Sequence, residues 1–161
     1  DSLPAGYSQG GSLMRSQCWA VAKPDSVWYD ADAALKLDAL VNALNTNDYI
    51  ILASPRLYAT IARLPARYPI SARYYRALFD GQLGFDLIAS AQNDPALDGI
   101  VIANDPFSYA GLPTLVRSDA AMWNWGYADE SFTVYDHPMP LVFKKSRALS
   151  TAELRTLLLP P

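Results

Sequence analysis

Apolar residues recur along the chain with two periods, one typical of helices and one typical of strands. At positions 33–44 they lie three and four residues apart, which predicts a helix with one buried face. The short apolar runs at 49–53, 85–89 and 99–103 predict strands, and the first reads as a strand buried on both sides. Residues 17–22 predict a further strand at the start of the chain.

Capping and breaking residues place further helices between the strands. A helix is predicted to start at residues 54–55, because proline is tolerated in a first turn, and another covers 71–79. The final helix is predicted over 150–159, where Ser150 and Glu153 have the spacing of a capping box. Alternating strands and amphipathic helices indicate a single layered α/β domain, in which helices flank a mixed and mostly parallel sheet.

The segment 129–138, followed by 141–145, is predicted to form a C-terminal β-hairpin around a proline-rich turn. It holds the only histidine, His137, beside Asp136. Such a pair suggests a general base, but neighbours in a strand point to opposite faces and cannot easily hydrogen-bond. No Gly-x-Ser-x-Gly elbow supplies a nucleophile, and one histidine cannot build a His-rich zinc site. We predict a turn or packing role for His137, with a small hydrolase as the alternative.

Length, charge and cysteine content narrow the class of protein. A chain of 161 residues suits one domain, and residues 1–16 are predicted to be an arm or linker ahead of a domain at 17–161. The formal net charge of -3 argues against a general nucleic-acid binder. The single cysteine excludes an internal disulfide and a cysteine-rich metal site. Because no phosphate-cradling Gly-rich motif follows a strand, we expect no nucleotide-binding site. Together with the single histidine and single cysteine, this leads us to expect neither a metal nor a cofactor.

Two groups of residues are candidates for binding. One is a run of five arginines with no acidic residue among them, namely Arg56, Arg63, Arg67, Arg73 and Arg76. It predicts either a solvated helical face with structural ion pairs or a surface for anions such as lipid phosphates. The other is a loop crowded with aromatic residues, namely Phe107, Tyr109, Trp123, Trp125 and Tyr127. It predicts either a satellite core or a surface that stacks on sugars or meets a membrane interface.

Four ordered segments carry a resemblance to a known family: 48–58 (DYIILASPRLY), 63–69 (RLPARYP), 74–85 (YYRALFDGQLGF) and 130–138 (ESFTVYDHP). Over roughly residues 30–158 the chain resembles the C-terminal extracytoplasmic domain of large polytopic membrane glycosyltransferase-like proteins, which occur in archaea and bacteria and are common in Chloroflexi. These proteins are similar to the protein mannosyltransferase superfamily, whose members use polyprenyl-phosphate sugars.

The resemblance implies a part of a membrane protein that has no catalytic residue of its own. In such transferases the catalytic acid lies in a loop between membrane spans, and no apolar run here approaches the roughly 20 residues of a span. We therefore expect a non-catalytic domain on the extracytoplasmic face of the membrane, anchored through segments absent from this chain.

The expected partners are the membrane surface or the rest of the parent chain, together with a lipid-linked sugar or its acceptor, and no nucleic acid. The alternative from another class is a structural module that mediates protein–protein contacts in a membrane or cell-surface complex. Its aromatic and arginine surfaces would then contact other protein subunits.

Overall fold

The computed structural model describes residues 31–91, 94–116 and 122–159. The arm expected at 1–16 and the strand expected at 17–22 lie outside the described residues. The α-helices are α1 (Ala31–Thr46), α2 (Arg56–Ile61), α3 (Pro69–Phe79), α4 (Pro106–Ala110) and α5 (Thr151–Leu158), and a π-helix covers Ser131–Asp136. The strands are β1 (Tyr49–Leu52), β2 (Phe85–Ser90), β3 (Ala96–Leu97), β4 (Ile100–Asn104), β5 (Met122–Gly126) and β6 (Leu141–Lys145).

The strands form two small sheets, which we call the core sheet and the outer sheet. The core sheet has the order β1–β6–β2, and both of its pairings are antiparallel. The outer sheet has the order β3–β4–β5, with an antiparallel β3–β4 hairpin and a parallel β4–β5 pair. The α/β class is confirmed, but the described strands do not form one mostly parallel sheet. The difference arises because β6, from the far end of the chain, inserts between β1 and β2 and runs antiparallel to both.

The hydrophobic core lies on one face of the core sheet, where helices α1, α3 and α5 contribute to the same buried cluster. The predicted apolar face of α1 is confirmed by four buried side chains: Leu37, Leu40, Val41 and Leu44. From the strands come Ile50, Leu141 and Phe143, each at most 1% exposed. Burying a side chain of this size contributes about 1.5–3 kcal/mol.

Strand β1 is buried on one face only, so the expectation that it is covered on both sides is wrong. Ile50 and Leu52 point into the core, whereas Tyr49 and Ile51 are exposed. The reason is that an antiparallel sheet with helices on one face leaves alternate side chains in solvent. Apolar residues on both faces of a strand therefore do not require two layers of helices.

The hairpin predicted from residue 129 onward is also corrected, because its first strand is the π-helix. The Asp129 carboxylate accepts hydrogen bonds from the Ser131 hydroxyl at 2.5 Å and from the Phe132 amide at 3.1 Å. At the other end, the His137 amide donates to the Phe132 carbonyl five residues earlier. The Phe, Thr, Val and Tyr residues of this segment favour strands. The local hydrogen bonds nevertheless offer the backbone an alternative to the hydrogen bonds between paired strands. Of the predicted pair, only β6 forms.

The C-terminal helix is confirmed together with its cap. The Ser150 hydroxyl accepts from the Glu153 amide at 3.3 Å, and the Glu153 carboxylate accepts from the Ser150 amide at 2.7 Å. Hydrogen bonds from Ser150 hold the pKa of Glu153 below its usual value. The predicted stop of α3 is also found, since Gly81 follows the helix with a left-handed φ of 70°.

Candidate functional site

One arginine and two tyrosines from distant parts of the chain form a stack at the surface. The Arg63 guanidinium carbon lies 3.9 Å from the centre of the Tyr109 ring. Behind it, the Tyr109 and Tyr127 rings are 4.1 Å apart between centroids and inclined by only 7°. Arg63 follows α2, Tyr109 lies on α4 and Tyr127 follows β5. We call these three residues the Arg–Tyr stack. It joins members of both groups that the sequence analysis selected.

Helix α4 positions the central ring of the stack. Phe107 and Ala110 face the core, which leaves Tyr109 on the exposed side of the helix. Phe107 is 3% exposed, and its ring centre lies 6.1 Å from that of Tyr58 and 5.9 Å from that of Phe79. Phe107 therefore belongs to the core and does not contribute to the exposed aromatic surface.

A polar network fixes α4 to the ends of the two parallel strands. The Asp105 carboxylate caps the helix by accepting from the Ser108 amide at 3.0 Å, and it also accepts from the Asn124 side chain at 3.1 Å. The Asp105 amide donates to the Gly126 carbonyl at 2.8 Å. The Asn104 side-chain oxygen accepts from the Ala128 amide at 2.9 Å. These bonds bracket residue 127 and bring its ring against Tyr109.

The electrostatics of this corner agree with a fixed network. Burial alone would raise the pKa of Asp105, but hydrogen bonds from Ser108 and Asn124 outweigh it and lower that pKa below its usual value. The Tyr58 hydroxyl is buried without a hydrogen-bond partner among the described residues. Burial, and then the neighbouring Tyr127 and Asp105, raise the pKa of Tyr58 far above its usual value. Tyr58 therefore stays neutral on the inner side of the network.

The five arginines do not share one environment. Arg73 donates from Nε to the Leu157 carbonyl at 3.1 Å, which ties α3 to the end of α5. Arg76 donates to the Ala62 carbonyl at 3.3 Å, which ties α3 to the end of α2. Both contacts are internal links between helices and account for these two residues without a ligand.

The remaining arginines lie at the surface. The half-exposed Arg56 side chain reaches Glu130 at 4.0 Å, the limit of an ion pair. The Arg67 guanidinium lies 5.4 Å from the centre of the Tyr68 ring. Arg63 has no ion pair among the described residues and contacts the Tyr109 ring. In the Arg–Tyr stack, a cation at the surface thus lies over an aromatic ring and has no carboxylate partner among the described residues.

His137 packs in the turn after the π-helix. Its ring lies on that of Phe132, with centroids 4.2 Å apart and planes 17° from parallel. Its Nδ1 is buried without a hydrogen-bond partner among the described residues, and Asp136 is exposed. This arrangement matches the packing role predicted for His137, and it gives a hydrolase no Asp–His pair to use.

Of the aromatic loop, Trp123 and Trp125 lie on β5. Trp123 is 58% exposed, and the Trp125 side chain lies outside the described part of the chain. The sequence analysis did not select Asp105 or Asn124, which hold the site together. Asp105 could have been found, since Asp followed by Pro106 is a helix-start signal. Asn124 carries no comparable local signal.

Two properties of the described residues concern membranes and metal ions. Within 31–91, 94–116 and 122–159, no helix is long and apolar enough to cross a bilayer. The same residues contain no group of three or more His, Cys, Asp or Glu side chains that could hold a metal ion.

Comparisons of the chain with protein-family models, with curated proteins and with solved structures found no match.

Proposed function

We propose that this chain is a non-catalytic, extracytoplasmic domain of a membrane glycosyltransferase-like protein, and that it holds a lipid-linked sugar or its acceptor at the membrane surface. The observation that carries the proposal is the Arg–Tyr stack. It supplies, at one exposed position, the two kinds of group that a sugar phosphate needs.

The arginine suits a phosphate group. A guanidinium has five N–H donors in its plane and binds phosphate oxygens through paired hydrogen bonds. Because Arg63 lies over the Tyr109 ring at 3.9 Å, its plane is held while its N–H edge stays available. A side chain ordered before binding loses less conformational freedom when the ligand arrives. Arg63 is thus prepared for an oxyanion, whereas the Arg56 side chain reaches Glu130.

The tyrosines suit the sugar. Because Arg63 covers one face of the Tyr109 ring and Tyr127 covers the other, a sugar would meet the exposed edge of the ring, where apolar C–H groups lie beside the Tyr hydroxyl. Tyr109 is exposed and Tyr127 is partly buried, so the pair forms a supported surface instead of a single mobile ring. The overall charge of -3 would repel anions at long range, so recognition at this position depends on close contacts.

Titration of the isotope-labelled chain with hexose 1-phosphates, the free hexoses and inorganic phosphate tests the proposal by nuclear magnetic resonance. We expect shifts centred on Arg63, Tyr109 and Tyr127, strongest for a hexose 1-phosphate. Arg63→Ala should weaken phosphate-dependent binding about tenfold, which corresponds to about 1.4 kcal/mol. Tyr109→Ala should weaken binding of the hexose part as well.

The matched control is Arg147→Ala, which removes the same charge from an exposed side chain that lies after β6, apart from the stack. Vesicles that contain a polyprenyl phosphate form a separate arm and distinguish a lipid-anchored phosphate from a free one. If no hexose phosphate and no polyprenyl phosphate binds, or if Arg147→Ala weakens binding as much as Arg63→Ala, the proposal fails.

A further inference from the structure

The outer sheet has an apolar face made of four residues. Leu97 lies directly opposite Ile100, and Ile102 lies directly opposite Trp123. Ile100 and Ile102 are two apart on β4, so all four side chains project from the same side of the sheet. Leu97 is 69% exposed, Ile100 46% and Trp123 58%, while Ile102 is partly buried. We call this set the apolar face.

Neither the hydrophobic core nor a flexible tip explains this exposure. Among the side chains that the structure describes, no member of the buried core comes from β3, β4 or β5. The β3–β4 hairpin turns through Asp98 and Gly99, both with positive φ (51° and 79°). Two such residues match the twist of paired strands and make a tight turn. The apolar face is therefore displayed on a regular sheet.

We infer that the apolar face contacts the interfacial region of a lipid bilayer, with Leu97, Ile100 and Trp123 inserted among the headgroups. A Trp side chain favours this depth, because its ring is apolar and its N–H finds a polar partner. The branched aliphatic residues beside it supply apolar area without hydrogen-bonding groups. Asp98, at the hairpin turn, keeps the contact shallow.

A second copy of the chain is a poorer occupant. A stable interface buries roughly 800 Å² per partner. A buried aromatic side chain supplies at most about 250 Å², the three aliphatic residues are smaller, and all four side chains are already partly covered, so the apolar face alone does not suffice. Strand addition along β5 is also disfavoured at its carboxyl end. There the Asn124 side-chain oxygen already accepts the Gly126 amide at 2.7 Å. A lipid surface needs neither shape complementarity nor strand pairing.

The charge next to the apolar face also suits a bilayer. Trp123 and Tyr127 are four positions apart along the chain, which is about 13 Å in an extended strand. The Arg–Tyr stack therefore begins near the carboxyl end of β5, and we assign Arg63, on its outer side, to lipid phosphates. Only this phosphate contact rests on the proposed function, since the apolar contact follows from the outer sheet alone.

Co-sedimentation of the 161-residue chain with phosphatidylcholine vesicles tests the inference. Because this lipid has no net charge, binding to the vesicles reports the apolar contact and not attraction between charges. We expect partitioning that Ile100→Lys weakens by about tenfold, since it replaces an apolar contact with a charge. The matched control is Ile88→Lys, because Ile88 is an exposed isoleucine (54%) on the core sheet. Ile88→Lys should leave partitioning unchanged. Trp123→Phe should remove most of the blue shift in Trp emission on vesicle binding.

Absence of wild-type binding, or equal losses in Ile100→Lys and Ile88→Lys, overturns the inference. Light scattering measures whether the chain forms a dimer. If it does, and if Ile100→Lys dissociates that dimer, the apolar face belongs to a contact with a second copy and not to a bilayer. Circular dichroism checks that both variants are folded, and Leu97→Ser gives a milder second change. Arg63→Ala separates the two proposals, because it should weaken sugar-phosphate binding about tenfold and leave phosphatidylcholine partitioning intact.

Discussion

The core sheet and the outer sheet are built from similar residues but differ in what covers them. In the core sheet, Ile50, Leu141 and Phe143 are buried under helices, whereas in the outer sheet Leu97, Ile100 and Trp123 lie in solvent. Both sheets have apolar residues at alternating positions. The comparison teaches that an alternating pattern predicts an apolar face, but not whether the protein covers that face itself. We therefore expect the two sheets to respond differently to substitution.

The largest difference is expected for truncation of an aromatic side chain in each sheet. Phe143→Ala should lower the free energy of unfolding by about 3–5 kcal/mol, because it leaves a cavity beside Phe79 in the core. Trp123→Ala should cost about 0.5 kcal/mol or less, as for most exposed positions. Urea unfolding of both variants measures this. Equal losses would mean that the outer sheet is part of the folding core.

Glycines at turns give a second contrast between the sheets. Gly84 has a φ of 73°, and a side chain there would run into the backbone carbonyl of Arg147, beside the core sheet. Gly99 has a φ of 79° in the outer hairpin, with no atom within 4 Å of an added Cβ. We expect about 2–3 kcal/mol of destabilisation for Gly84→Ala and about 1 kcal/mol for Gly99→Ala. Thermal unfolding checks this order, and the reverse order would contradict the close approach at Gly84.

The features predicted correctly from the sequence were those with local signals. The face of α1 follows from the spacing of Leu37, Leu40 and Leu44, and the start of α5 follows from Ser150 and Glu153. The pairing of the strands could not be predicted from local signals. The position of β6 between β1 and β2 depends on contacts between residues far apart in sequence. The strand-favouring residues 131–136 misled for a different reason, since local hydrogen bonds to Asp129 compete with their preference for a strand.

The candidate site divides in the same way. The arginine and the two tyrosines were each selected from the sequence, but their stacking depends on how α2, α4 and β5 meet. The sequence could not separate Arg63 from Arg73, because both lie in the same arginine-rich segment. Only the fold shows that Arg73 donates a hydrogen bond to the Leu157 carbonyl. Whether the stack binds a sugar phosphate stays a prediction.

The network of the outer sheet should depend on pH through Asp105. Its pKa is lowered in the folded state, so its contribution is present above the unfolded pKa and is lost as pH falls through the folded pKa. Asp105→Ala should cost about 1 kcal/mol at pH 7, the usual loss for a helix cap. Below both pKa values the difference from wild type should shrink. Urea unfolding at pH 7 and at strongly acidic pH measures it, and a constant difference would contradict the assignment.

The smallest contrast concerns two arginines from one segment. Arg73→Ala should cost about 1 kcal/mol, because it removes a hydrogen bond between α3 and the end of α5. Arg63→Ala should cost about 0.5 kcal/mol or less, since an exposed cation–π contact contributes little. Sugar-phosphate binding should show the opposite order, with the large loss in Arg63→Ala. A variant pair in which stability and binding fall together would mean that the Arg–Tyr stack is a structural element. If Arg63→Ala lowers binding without lowering stability, the stack is held in place for a ligand.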